Sequence, residues 1–80
     1  MDQLAKAVGE RIRHRRKARG LSQDNLALLS GIDRSYVGRI ERGEVNITVE
    51  KLYLIARVLA CDPATLLPEI QDILGIRIKW

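Results

Sequence analysis

Eighty residues with fourteen Lys and Arg against ten Asp and Glu, a net charge of +4, make one small domain with a modest core. With 46% hydrophobic residues, six Gly and two Pro, the composition is that of an ordered globular chain and excludes a low-complexity or disordered segment. A single cysteine excludes an internal disulfide framework, and no apolar run approaches the roughly 18 residues that span a bilayer.

Met1, Asp2 and Gln3 lack the basic and apolar regions of a signal peptide, and the lone Cys61 suits a reducing compartment, so a soluble cytoplasmic protein is expected. Leu4, Val8 and Ile12 recur every fourth residue and predict an amphipathic helix over 3–19, stopped by Gly20. Arg11, Arg13, Arg15, Arg16, Lys17 and Arg19 crowd into its last turns. Such a cluster invites a polyanionic partner, but a helix dipole also favours cations there by about 0.3 to 1 kcal/mol each. Charge alone therefore decides nothing.

Ser22 is a predicted N-cap for a second helix carrying Leu26, Ala27 and Leu29 to Ser30, and Gly31 breaks it. Asp33 then caps a third helix, with Val37 and Ile40 facing inward, that runs to Gly43. After a polar turn through Glu44, Val45 and Asn46, Thr48 caps a fourth helix in which Leu52, Ile55, Ala56 and Leu59 form the clearest apolar stripe of the chain. Asp62 followed by Pro63 predicts a fifth helix containing Leu66 and Leu67, which Pro68 limits or restarts, with one or two further turns from Glu69 to Leu74. Beyond Gly75, the alternation of Ile76, Arg77, Ile78, Lys79 and Trp80 suits a short strand or an extended tail. The expected fold is all-α, a compact five-helix unit over 1–68 with a C-terminal extension over 69–80.

Residues 23–42 meet the demands of two helices joined by a tight turn. Ala27 is the small side chain needed where the helices cross, Gly31 tolerates the positive φ of the turn, and Ile32, Val37 and Ile40 supply inward apolar residues at the offsets that follow. Through LSQDNLALLSGIDRSYVGRIERG at 21–43 and NITVEKLYLIARVLACDPATLL at 46–67, the chain resembles the lambda-repressor and Cro-like helix-turn-helix regulators. Its DRSY, IERG and NIT segments are most similar to the controller proteins of restriction-modification systems. Phage repressors and antitoxins share the same core pattern.

That resemblance implies double-stranded DNA as partner, with the third helix entering the major groove N-terminus first. Arg34 and Ser35 then stand closest to base edges, Arg34 as the bidentate partner of a guanine, a contact type worth about 1 to 3 kcal/mol of discrimination. Tyr36 either meets a thymine methyl or a phosphate, or packs partly buried. Gly38 stands where controller proteins often carry a small hydroxyl residue, which removes one base contact. Gln23 at the start of the second helix is implied to buttress a phosphate contact, Arg42 and Asn46 to touch phosphates, and Arg39 to read a base or clamp a phosphate. Arg16 continues the Leu4, Val8, Ile12 spacing toward the core, and the resemblance implies a structural ion pair with Glu41.

One His and one Cys, His14 and Cys61, give no catalytic or metal-ligand spacing, so neither catalysis, metal, cofactor nor small-molecule effector is expected. A protein-interaction module of antitoxin type is the rival reading; RNA is disfavoured because no aromatic platform is evident. One recognition helix reads only a few base pairs, which calls for a homodimer on half-sites about 34 Å apart. Leu66, Leu67, Ile70, Ile73, Leu74, Ile76, Ile78 and Trp80 are the candidate dimer interface. A regulator on a palindromic operator, autoregulated by its own concentration, is the expected function.

Overall fold

A computed structural model describes residues 2–74, with side chains from 3 to 73. The elements are α1 (Asp2–Ala18), α2 (Gln23–Ser30), α3 (Arg34–Glu41), α4 (Val49–Leu59), a four-residue 3-10 turn (Pro63–Leu66) and α5 (Ile70–Leu74). The expectation for 75–80, with Ile76, Ile78 and Trp80, lies outside the described residues, as does the side chain of Leu74.

Local chemistry fixes the helix starts. The Ser22 hydroxyl accepts the Asn25 backbone N–H at 3.0 Å, Asp33 accepts that of Ser35 at 2.9 Å, and Thr48 that of Lys51 at 3.2 Å. Gly31, at φ 76°, ends α2 in the left-handed region, and its N–H closes the last turn on the Ala27 carbonyl at 2.9 Å. Only Ile32 and Asp33 lie between Gly31 and the start of α3, which is the tight connection the sequence predicts.

The fifth predicted helix takes a different form. From Asp62 the chain makes only a 3-10 turn, because Leu67 precedes Pro68 and is driven to an extended backbone, φ −104° and ψ 133°. The proline ring disfavours a helical conformation at the residue before it, and helical structure resumes at Ile70.

The core gathers Val8 and Ile12 from α1, Leu26 and Ala27 from α2, Val37 and Ile40 from α3, the Leu52, Ile55, Ala56, Leu59 stripe of α4, and Ile32 and Leu66. Leu66, expected at a dimer interface, is fully buried inside this one chain instead. The 3-10 turn packs against both α1 and α4 and carries that side chain between them. Leu4, read as an inward residue, is partly exposed, and Ala5 takes the inner position.

The α1–α3 crossing depends on Gly9. A Cβ added there would stand 2.8 Å from the Glu41 carbonyl oxygen and closer still to that of Ile40, so the helices meet backbone to backbone. This contact places the end of α3 against α1 and leaves the opposite side of α3 open. Among the described residues no helix is long and apolar enough to cross a membrane.

Candidate nucleic-acid interface

The sequence of α3, RSYVGRIE, divides by helical spacing into two chemistries. Val37, Ile40 and Glu41 are buried, while Arg34, Ser35, Arg39 and the capping Arg42 are exposed. Burial of the first set fixes the rotation of the helix about its axis, and the arginines necessarily share the solvent side.

Arg34 keeps half of its side-chain surface in solvent and donates through Nε to Asp24 Oδ1 at 2.5 Å, which bridges the starts of α2 and α3. The Ser35 hydroxyl donates to the Asp33 carboxylate. With the Ser35 backbone N–H on the same oxygen, this holds the Asp33 carboxyl below its usual range. At the other end of the helix Arg42 meets Glu44 through Nε and Nη2 at 2.7 and 3.3 Å, and Arg39 approaches the same carboxylate at 4.0 Å. The Arg42 contact lowers the Glu44 carboxyl and raises the Arg42 guanidinium from their ordinary values.

Gly38 departs from its expected place on the open face. It is buried, covered by the two arginines that flank it on the helix: a Cβ there would lie 3.0 Å from Arg42 Nη1 and 3.3 Å from Arg34 Nη1. The residue is a floor under both guanidiniums. Tyr36 is half-buried against the core, and the Lys51 ammonium lies 5.2 Å from its ring centroid. Packing thus accounts for one side of this ring.

Gln23 is tied into the interior: its Nε2 donates to Glu41 Oε1 at 2.9 Å. Glu41 also receives Arg16 Nε at 2.7 Å, while Arg16 Nη1 donates to the Leu21 carbonyl at 2.8 Å. One buried carboxylate therefore joins α1, the start of α2 and the end of α3, and every buried polar side-chain atom among the described residues finds a partner. Asn46 is exposed in the α3–α4 connection, beside an apolar groove of about 240 Å3 lined by Leu4, Val45, Ile47, Val49 and Leu67.

The pairing of Asp24 and Glu44 with the arginines of α3 does not follow from helical spacing, because neither carboxylate lies on α3. Asp24 is ten residues from its partner, beyond any helical spacing; Glu44 adjoins Arg42 closely enough that its proximity was the available signal. On α1, Arg11, Arg13, Lys17 and Arg19 are exposed and Arg15 half-buried, and none has a carboxylate within 4 Å among the described residues. His14 is exposed, and Cys61 packs partly buried against the core. Among the described residues no three His, Cys, Asp or Glu side chains gather as a metal site.

Comparison with known proteins places this geometry in context. The helix-turn-helix family pattern matches residues 12–66. The control protein C.SmaI of Serratia marcescens is 38% identical over 56 residues, covering 70% of this chain and 67% of that one. Among solved structures, the restriction-modification controller protein C.AhdI from Aeromonas hydrophila superposes with a TM-score of 0.77 at 44% identity, over 79% of this chain and 96% of that one. SinR, a master regulator for biofilm formation, solved in complex with DNA, superposes at 0.71 with 35% identity, over 74% and 95% of the two chains. The chain spans between 44% and 73% of the length of five other curated regulators that it matches.

Proposed function

Because the chain belongs to the helix-turn-helix family and is a DNA-binding transcriptional regulator, we propose that it reads a palindromic operator as a homodimer, with the open side of α3 in the major groove. The observation that carries this reading is the exposed row of Arg34, Ser35, Arg39 and Arg42 on a helix whose other side is sealed in the core. Arg34 and Ser35 at the helix start read bases. Arg39 reads a base or clamps a phosphate, and Arg42 and Asn46 hold phosphates. Gln23 and Tyr36 support backbone contacts at the flanks, and Gly38, lacking a side chain, lets the Arg34 and Arg42 guanidiniums lie close over the helix.

Dimerisation assigns 69–80 as an extension that pairs two domains of 1–68. Leu67 and Ile70 are exposed and Ile73 is partly so, which supports their role in the interface. Leu74, Ile76, Ile78 and Trp80 are assigned to it on their apolar character. The named control and controller proteins among the relatives favour a restriction-modification controller that regulates its own synthesis by concentration. The protein acts in the cytoplasm without catalysis, cofactor or small-molecule effector.

Selection of duplexes from random DNA, followed by titration of the full chain at 50 and 200 mM salt, tests the proposal. A symmetric site and a loss of affinity of about a thousand-fold across that salt range are expected if six or more phosphates are contacted per dimer. Recovery of no shared sequence, or an affinity indifferent to salt, would count against DNA reading and in favour of a protein partner.

A further inference from the structure

We propose that Asp24 and Glu44 are specificity-determining residues, which neutralise Arg34 and Arg42 from within and so weaken the hold of α3 on phosphates wherever no matching base edge is read. The inference rests on the assignment of α3 as the reading helix. Three arginines face outward there, and the carboxylates of Asp24, Asp33 and Glu44 lie among or beside them. Among the described residues, cations with no carboxylate within 4 Å are most concentrated on α1, at Arg11, Arg13, Arg15 and Lys17; Lys51 and Arg57 on α4 also lack one. Long-range attraction to DNA and discrimination at its surface are thereby assigned to different elements.

The geometry at Arg34 is directional. Asp24 takes the Nε proton, and among the described residues neither terminal nitrogen of Arg34 donates to another side chain. A guanidinium held this way presents its two outer nitrogens together, in the fork that matches guanine O6 and N7. A phosphate approaching the same fork feels the Asp24 charge behind it and is held less tightly than by a free guanidinium; a guanine edge carries no net charge and loses less. Glu44 limits Arg42 at the far end of the helix: it engages Nε and Nη2 and leaves only Nη1, above Gly38, so the phosphate contact assigned to Arg42 is confined to a single point in register with the reading helix.

The test compares the full chain with its D24N, E44Q and E10Q variants on a duplex selected from random DNA and on the same duplex scrambled. Glu10 is exposed on α1 and controls for the loss of one negative charge. D24N and E44Q are expected to bind the scrambled duplex about two- to five-fold more tightly, as removal of an exposed ion pair allows. Their salt slope on that duplex should steepen by up to about one unit, with no matching gain on the selected duplex. E10Q should shift both duplexes equally. If D24N and E44Q also shift both by the E10Q factor while R34A abolishes the preference, this inference alone is overturned. If R34A keeps the full wild-type preference, the assignment of α3 as reader fails, and this inference with it.

Discussion

Arg16 and Glu41 form a two-point ion pair inside the domain, Nε to Oε2 at 2.7 Å and Nη2 to Oε1 at 3.0 Å, with side chains only 9% and 2% exposed. Neither charge can reach water if the other is lost, and burying an unpaired charge is far more costly than the pair itself is worth. R16A or E41A should each lower stability by about 3 to 5 kcal/mol, whereas R13A, on the exposed part of α1, should change it by less than about 0.5 kcal/mol. Replacing both partners with apolar residues of similar volume should recover most of the loss. Urea unfolding of the four variants decides this, and a double variant as unstable as the singles would contradict the desolvation argument.

Gly9 sets two effects of opposite sign against each other. Alanine is favoured over glycine within a helix by about 1 kcal/mol. Here its Cβ would press on the Ile40 and Glu41 carbonyl oxygens, which are backbone atoms and cannot swing aside. Overpacking of this kind costs about 1 to 3 kcal/mol, occasionally more, so G9A should come out less stable than wild type by circular dichroism melting. A melting temperature raised by G9A would show that the helices can part at little cost.

Leu66 and Leu67 are sequence neighbours with opposite expectations. Leu66 is 0% exposed and fills the space between α1 and α4, so L66A should cost about 2 to 5 kcal/mol of stability. Leu67 is 45% exposed, so L67D should leave the fold near wild-type stability while weakening the proposed dimer. Sedimentation equilibrium reads the second effect. A chain shortened after Pro68 that still sediments as a dimer would put the interface on another surface.

Arg34 carries the sharpest expectation for recognition. It is half in solvent, so R34A should leave the melting curve near wild type while reducing discrimination between the selected and scrambled duplexes by about 1 to 3 kcal/mol. Anisotropy titration at fixed salt measures it. Undiminished discrimination by R34A would place base reading elsewhere on the surface.

Asp33 makes the start of α3 sensitive to acid. Its carboxyl is lowered by the Ser35 hydroxyl and Ser35 amide, so the folded chain takes up this proton less readily than the unfolded chain. The contribution is complete above the unfolded carboxylate value, about pH 4, and is lost as the pH falls through the lower folded value. D33N preserves a good cap but cannot titrate, so it should lose less stability than wild type as the pH falls below about 4. Equal acid losses in the two proteins, read from urea midpoints, would remove Asp33 from the account.

What the sequence determined by itself is everything that acts within one or two helical turns. The caps at Ser22, Asp33 and Thr48, the left-handed turn at Gly31 and the apolar stripe of α4 depend on neighbours no more than four residues away in the interactions that define them. The exposed side of α3 was legible for the same reason, because burying Val37 and Ile40 leaves Arg34, Ser35 and Arg39 outside. The pairing of Arg16 with Glu41, by contrast, was reached through resemblance to known regulators, since 25 residues separate the two.

Only the tertiary structure decided where helices touch. It put Leu66 inside and Leu67 outside, pressed the Gly9 backbone against the end of α3, set Gly38 beneath two guanidiniums and brought Asp24 to Arg34. Such contacts depend on the angle and depth at which packed helices cross, quantities fixed by all the core side chains at once. No local pattern in the chain encodes them.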